Sequence, residues 1–171
     1  MNKKTKELIE TLKGKEKVRV LFVCLGNICR SPAGEGVLRA IVSAAGDDAR
    51  WEIDSAGTGG YHVGELPDKR MRVHARQRGL ELTHHCRKVT AEDFDRFDLI
   101  LPMYASKETN LRRMAPTLEA AAKIVPMASF VDPSMGYDYV PDPYYEGSEG
   151  FELVLDLLEN GCRNLFNELS L

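Results

Sequence analysis

Residues 18–32 read VRVLFVCLGNICRSP, and the fold is decided there. Val18 to Cys24 is an unbroken apolar run rich in β-branched residues, preceded by lysines and followed by Gly26-Asn27. That is the pattern of a strand buried on both faces, of the kind that sits centrally in a parallel sheet. After a polar turn come Ser31-Pro32 and then Val37, Leu38, Ile41 and Val42 at helical spacing. Ser31 suits an N-cap, and Pro32 suits the first helical position, where a missing N–H costs nothing. The order is strand, loop, helix, with Cys24 at the carboxyl end of the strand.

The neighbouring segments repeat this alternation. WEIDS (51–55) is a second strand, and the glycine-rich stretch 56–64 is a loop. A helix from Asp68 to Arg78 is closed by Gly79, a short one lies near Ala91 to Phe94, and DLILPM (98–103) is a third strand. Pro102 cannot donate a ladder bond, so the sheet is expected to stop beside it. Ser106 to Met114 reads as helix and KIVP (123–126) as a weaker fourth strand. From Val131 to Gly147 prolines, glycines and aspartates form a long loop, and such loops in compact domains commonly carry function. The last element, Ser148 to Leu169, puts Phe151, Val154, Leu155, Leu158, Leu165 and Phe166 on one helical stripe. Strands alternating with helices predict an α/β fold: a parallel sheet covered on both faces, binding its ligand at the carboxyl ends of the strands.

A chain of 171 residues fits one domain. We place it at 18–171, with 1–17 a Lys/Glu-mixed extension that reads as a frayed basic helix or a partner contact. The net charge of −3 supplies no attraction to a phosphate backbone, which argues against nucleic acid as partner. Basic residues do cluster from Lys69 to Lys88, the usual composition of solvated helix faces. No apolar run reaches the length of a membrane span, and the lysine-rich start lacks the form of a signal peptide. Four cysteines, at 24, 29, 86 and 162, lack paired zinc-ligand spacing and are too few for a disulfide scaffold. A cytoplasmic, reducing location is expected.

The chemistry centres on Cys24 to Arg30 (CLGNICR). A segment that ends a strand and opens a helix can turn its backbone N–H groups on an anion, with the helix dipole adding positive potential. It lacks the Gly-Lys-Ser/Thr ending of a nucleotide loop and carries a thiol at its first position instead. Inward N–H groups, a helix N-terminus and a guanidinium each favour thiolate over thiol, so Cys24 is the expected nucleophile. A buried structural cysteine is the alternative. Arg30 offers a planar fork matched to two phosphoryl oxygens. Ser31 can donate to the Cys24 sulfur as well as cap the helix, while Gly26 and Asn27 suit positive φ or a close backbone approach. Phosphoryl transfer also needs an acid on an exposed or mobile segment. Asp142, between Pro141 and Pro143 and just before Tyr144 and Tyr145, is the best candidate, although an aspartate beside prolines is equally a turn residue.

With these residues assembled, the chain resembles a known family. VLFVCLGNICRSP, IDSAG (53–57), RKVT (87–90), FDLIL (97–101), DPYY (142–145) and the closing helix together look like the low-molecular-weight protein-tyrosine phosphatases over about Val18 to Leu169. The resemblance implies a doubly wound four-stranded parallel sheet and no metal or organic cofactor. It also implies a phosphotyrosine-containing protein or peptide as partner, acted on by a monomer or weak dimer. It assigns Cys24 to attack phosphorus, Arg30 to clamp it and Asp142 to protonate the leaving phenol and then activate water. Leu25, Gly26, Asn27, Ile28, Cys29 and Ser31 belong to the phosphate loop, with Ser55 and His84 supporting it. From the bare sequence His84 reads as a surface histidine. Tyr61, Tyr144, Tyr145 and Leu25 would form walls for a flat ring. Cys29 is the family's second loop cysteine and could form a reversible disulfide with Cys24. Cys86 and Cys162 read as structural.

Tyr104 stands where many relatives carry Asp. Arsenate reduction on the same fold needs a cysteine pair near the third strand, where this chain has Pro102. Protein-arginine phosphatases carry Thr at the Ile28 position, and the branched Ile28 suits an aryl ring. A phosphopeptide-binding module needs neither thiol nor acid. Turnover of an aryl phosphate separates it from an enzyme.

Overall fold

The structure, a computed structural model, describes residues 1–103 and 110–170. Three parallel strands form its sheet: β1 (Val18–Cys24), β2 (Trp51–Gly57) and β3 (Leu99–Pro102), in the order β2-β1-β3. β1 is central, as its two-sided apolar pattern requires, and runs in register with Trp51–Gly57 on one side and Leu99–Pro102 on the other. Its side chains alternate between two cores. Val18, Val20, Phe22 and Cys24 face one layer, and Leu21 and Val23 face the other.

Helix α2 (Arg30–Ala44) and the last helix, introduced below, fill the first layer, and the helix α3 (Lys69–Arg76) joins them through buried Met71 and Ala75. The second layer holds α4 (Asp93–Arg96), α5 (Asn110–Met114) and α6 (Leu118–Ala121), packed through Phe94, Leu111 and Ala120. Asp68 caps α3 by accepting the Arg70 N–H at 2.8 Å. That helix ends at Arg76, two residues before the expected limit, and Gly79 follows in the left-handed region at φ 81°.

Two expectations need correction. The fourth strand is not formed: Ile124 makes a single parallel bridge to Ile100. Ile100 N–H reaches the Lys123 carbonyl and Val125 N–H the Ile100 carbonyl, each at 2.9 Å, but Pro126 has no N–H to extend the ladder and the chain turns into a 3-10 helix at Met127. Ser31 is not the cap of α2. The helix begins two residues earlier than expected, at Arg30, with Cys29 at the cap position and no side-chain capping bond.

The segment before β1 forms a helix, α1 (Lys3–Lys13). Asn2 caps it, and Ile9 and Leu12 are buried in the first layer. Its free C-terminal carbonyls are covered by Arg50, whose guanidinium donates to Leu12 and Lys13 and also to Leu169 at the end of the closing helix. That closing helix, α7 (Ser148–Leu169), follows directly on the proline-rich loop that carries Asp142.

Candidate active site

The loop between β1 and α2 is held from outside by its carbonyls. The Cys24 and Leu25 carbonyls accept the N–H groups of Thr58 and Gly59, each at 2.9 Å. The Ile28 carbonyl accepts the Asp68 N–H at 2.8 Å and the Cys29 carbonyl the Ala33 N–H at 3.2 Å, while the Asn27 carbonyl accepts the Cys86 thiol at 2.8 Å. Because a trans peptide sets C=O and N–H in opposite directions, these ties turn the N–H groups of residues 25, 26, 28, 29 and 30 toward the loop's centre. The close approach to β2 explains Gly57: a Cβ there would lie 2.7 Å from the Leu25 carbonyl oxygen. Asn27, and not Gly26, takes the positive φ, at 58°.

At the floor of the loop Cys24 Sγ lies 2.9 Å from Ser31 Oγ. Asn27 Nδ2 donates to Ser31 Oγ at 2.8 Å and to Ser55 Oγ at 3.1 Å. Asn27 Oδ1 accepts the Arg87 N–H at 3.0 Å and faces His84 Nε2 at 2.9 Å, so that nitrogen must carry a proton. Ser55 passes its own hydrogen to Glu35 Oε1 at 2.7 Å. Ser31, already accepting from Asn27, keeps its hydroxyl hydrogen for the Cys24 sulfur, with the Ala56 carbonyl at 3.5 Å as the longer alternative. Asn27, Ser31 and Ser55 are fully buried. No buried side-chain nitrogen or oxygen among the described residues lacks a partner. The loop is thus rigid by hydrogen-bond count as well as by packing.

Arg30 is buried and sends its guanidinium across the cleft, reaching the Val140 carbonyl at 3.3 Å and Asp142 at 3.7 Å. Asp142 Oδ1 accepts the Tyr144 N–H at 3.0 Å, a local turn that aims the other oxygen at Arg30. Cys24, Leu25, Gly26, Ile28, Cys29, Arg30, Tyr61, His62, Asp142, Tyr144 and Tyr145 line one cleft of about 340 Å³, within the size range of small-ligand sites. Arg70 stacks on the Tyr144 ring at 5.2 Å and holds that wall upright. Every residue expected at the site is found in the cleft or directly behind it. Tyr104 lies outside the described residues.

The sequence reading missed Glu35, Asp54, Cys86 and His62. Glu35 and Asp54 each place a carboxylate oxygen 3.3 Å from His84 Nδ1. Glu35 sits four residues after Ser31, one helical turn on, and that spacing was the available signal. The thiols differ from one another in environment. Burial, followed by the nearby Asp68 and Cys24 charges, pushes the Cys29 thiol well above its ordinary value. Burial pushes Cys86 up to about 11. Cys162 is also raised by burial and lies away from the cleft against the Gly34 carbonyl.

A thiol at the floor of an anion-binding loop, faced by a buried arginine and an aspartate, is the architecture of cysteine-dependent phosphatases. Comparison with known proteins agrees. The family model for low molecular weight phosphotyrosine protein phosphatase matches residues 19–171. A low molecular weight protein-tyrosine-phosphatase of Streptomyces coelicolor is 46% identical over 148 residues, covering 86% of this chain and 90% of that protein. The crystal structure of an Entamoeba histolytica protein tyrosine phosphatase with Hepes in its active site superposes with a TM-score of 0.85 at 39% identity, covering 90% of this chain and 97% of that one. A Drosophila arginine phosphatase superposes with a TM-score of 0.78 at 32% identity, over 86% of this chain and 95% of its own. The chain belongs to the low molecular weight phosphotyrosine protein phosphatase family.

Proposed function

We propose that this chain hydrolyses phosphotyrosine in proteins, and small aryl phosphates, through a phosphocysteine intermediate. The observation that carries the reading is the convergence of Cys24, Arg30 and Asp142 on one cleft, with Arg30 only 3.7 Å from Asp142. The phosphoryl group sits in the cradle of N–H groups and Arg30 balances the charge on its oxygens. Cys24 sulfur forms the bond to phosphorus as the P–O bond to tyrosine breaks, and Asp142 gives its proton to the departing phenol oxygen. In the second half, Asp142 takes a proton from the water that attacks phosphorus. The sulfur leaves as thiolate, stabilised by the Ser31 hydroxyl 2.9 Å away. The nucleophile must be a free thiol, which favours a reducing compartment.

Tyrosine is favoured over shorter side chains because Cys24 is buried beneath a rim that includes Tyr61 and Tyr144, 75% and 37% exposed; a long flat ring reaches that floor between aromatic walls. Steady-state turnover of p-nitrophenyl phosphate, phosphotyrosine and phosphoarginine without added metal tests the reading. Hydrolysis of the two aryl esters, abolished in Cys24→Ser, is expected. Activity retained by Cys24→Ser, or phosphoarginine preferred over phosphotyrosine, would overturn it.

A further inference from the structure

Five loop carbonyls are tied outward, and four of the ties come from backbone N–H groups of Thr58, Gly59, Asp68 and Ala33. Those four do not depend on a side-chain donor, and only proline would remove one outright. The fifth, at the Asn27 carbonyl, comes from the Cys86 thiol at 2.8 Å, so it rests on one side chain. We propose that Cys86 is a positioning residue of the phosphate cradle: by holding the Asn27 carbonyl outward it aims the N–H of Ile28 at the bound phosphoryl group.

The peptide between Asn27 and Ile28 is the one most in need of such a tie. It follows a residue at φ 58°, a conformation that asparagine tolerates better than other non-glycine residues but that still needs its surroundings to hold it in one state. The segment containing Cys86 supplies that imposition from both sides of Asn27. His84 and the Arg87 N–H hold the side-chain oxygen, and Cys86 between them holds the backbone oxygen. Cys86 is itself fixed, with its N–H on the Glu65 carbonyl and its carbonyl on the Gly64 N–H, each at 2.8 Å. Burial keeps it a neutral thiol, with its value raised to about 11, so the donor hydrogen is present throughout the working range. An ionised sulfur there would repel the carbonyl and turn the peptide.

The inference rests on the loop being a phosphate cradle, and the experiment separates the two. Competitive inhibition of p-nitrophenyl phosphate hydrolysis by inorganic phosphate is measured for wild type, Cys86→Ser and Cys86→Ala, with thermal unfolding of each at zero and saturating phosphate. A wild type that phosphate neither inhibits nor stabilises removes the cradle itself. Given a wild type that responds, Cys86→Ala is expected to raise the phosphate inhibition constant roughly three- to tenfold, the order of one lost hydrogen bond. Cys86→Ser, which keeps a hydroxyl donor, should recover at least half of that change on a logarithmic scale. A role in packing alone would lower the unfolding temperature of both variants and leave the inhibition constant within about twofold, and that outcome overturns the proposal. If Cys86→Ala does not fold, the near-isosteric pair Cys86→Thr and Cys86→Val decides: with a hydroxyl donor in one and none in the other, phosphate inhibition constants within about twofold of each other overturn the proposal.

Discussion

Residues 24–31 and residues 140–145 line the same cleft from opposite sides, yet Asn27 and Ser31 are 0% exposed whereas Tyr144 and Tyr145 are 37% and 92% exposed. The first region is over-determined. Asn27 alone holds two serines, a histidine and a backbone N–H. The second region is anchored at buried Val140, by its N–H on the Met103 carbonyl and its carbonyl on Arg30, and beyond it has fewer ties: the turn closed by Asp142 on Tyr144, the Glu146 N–H on the Pro143 carbonyl, the contact of Asp142 with Arg30 and the stack of Arg70 on Tyr144. A rigid cradle costs no reorganisation when charge develops on phosphorus. An acid on a less tethered, wetter segment can approach the leaving oxygen and then give way to water. The division of labour predicts that damage to the two regions will look different in stability and in rate.

Loss of the nucleophile aside, the largest rate effect belongs to the exposed side. Asp142→Ala should lower kcat for phenyl phosphate roughly 10²–10⁴-fold, the usual reach of general acid catalysis, while leaving stability within about 0.5 kcal/mol, as for surface substitutions generally. The loss should shrink for p-nitrophenyl phosphate, whose leaving group needs its proton least. Equal losses on both esters would show that Asp142 holds structure and transfers no proton.

On the buried side the two effects should move together. Asn27→Ala removes four hydrogen bonds and forces an alanine to hold φ 58°. At about 0.5–1.5 kcal/mol per net bond and 1–2 kcal/mol for the left-handed backbone, a loss of about 3 kcal/mol or more is expected in denaturant unfolding, with impaired turnover of every ester alike. Unchanged stability would mean that the network is not over-determined. Between these extremes, Tyr144→Ala should raise KM for aryl phosphates by roughly three- to thirtyfold, on the scale of one lost aromatic contact, with kcat little altered. An effect on kcat alone would make Tyr144 a support for Asp142 and not a wall for the ring.

This contrast also explains what could be read before the fold was known. Cys24, Arg30 and the strand-loop-helix order are local: period, turn residues and spacing carry them. KIVP misled because an apolar run reports burial and not ladder length, and Pro126 stops the pairing after Ile124. Ser31 reads both as a cap, because Ser before Pro is a common helix start, and as a donor to the Cys24 sulfur; the structure keeps the second role and not the first. Glu35 has no local sign of burial in the sequence; β2 places Ser55 beside it. His84 entered only through family resemblance, and Cys86 only as a structural cysteine, since its bond to the loop spans 59 residues of chain. Supports brought in from distant segments have no local signature.

The smallest effect tests whether the two regions are coupled. Glu152 lies in the first turns of α7, just after the acid-bearing loop, and binds Arg78 at 2.8 Å and His74 at 2.5 Å beyond the end of and within α3. The start of α3 is where Asp68 ties the Ile28 carbonyl. Glu152 therefore clamps the segment that carries the acid to the segment that holds the cradle. The Arg78 hydrogen bond, with a further one from His74, holds its carboxyl below the ordinary value of 4.5. A carboxylate depressed in the folded state contributes stability that is fully present above its unfolded value and fades as pH falls through the folded one. Wild type should exceed Glu152→Gln by no more than about 1 kcal/mol at pH 7, because the side chain is 41% exposed and screened by solvent. That margin should shrink progressively below about pH 4.5. A margin that persists undiminished at pH 3 would show that the glutamine is disfavoured for its shape and not its charge. A margin accompanied by a matching loss of kcat at pH 7 would show that the clamp sets how closely Asp142 meets the cradle.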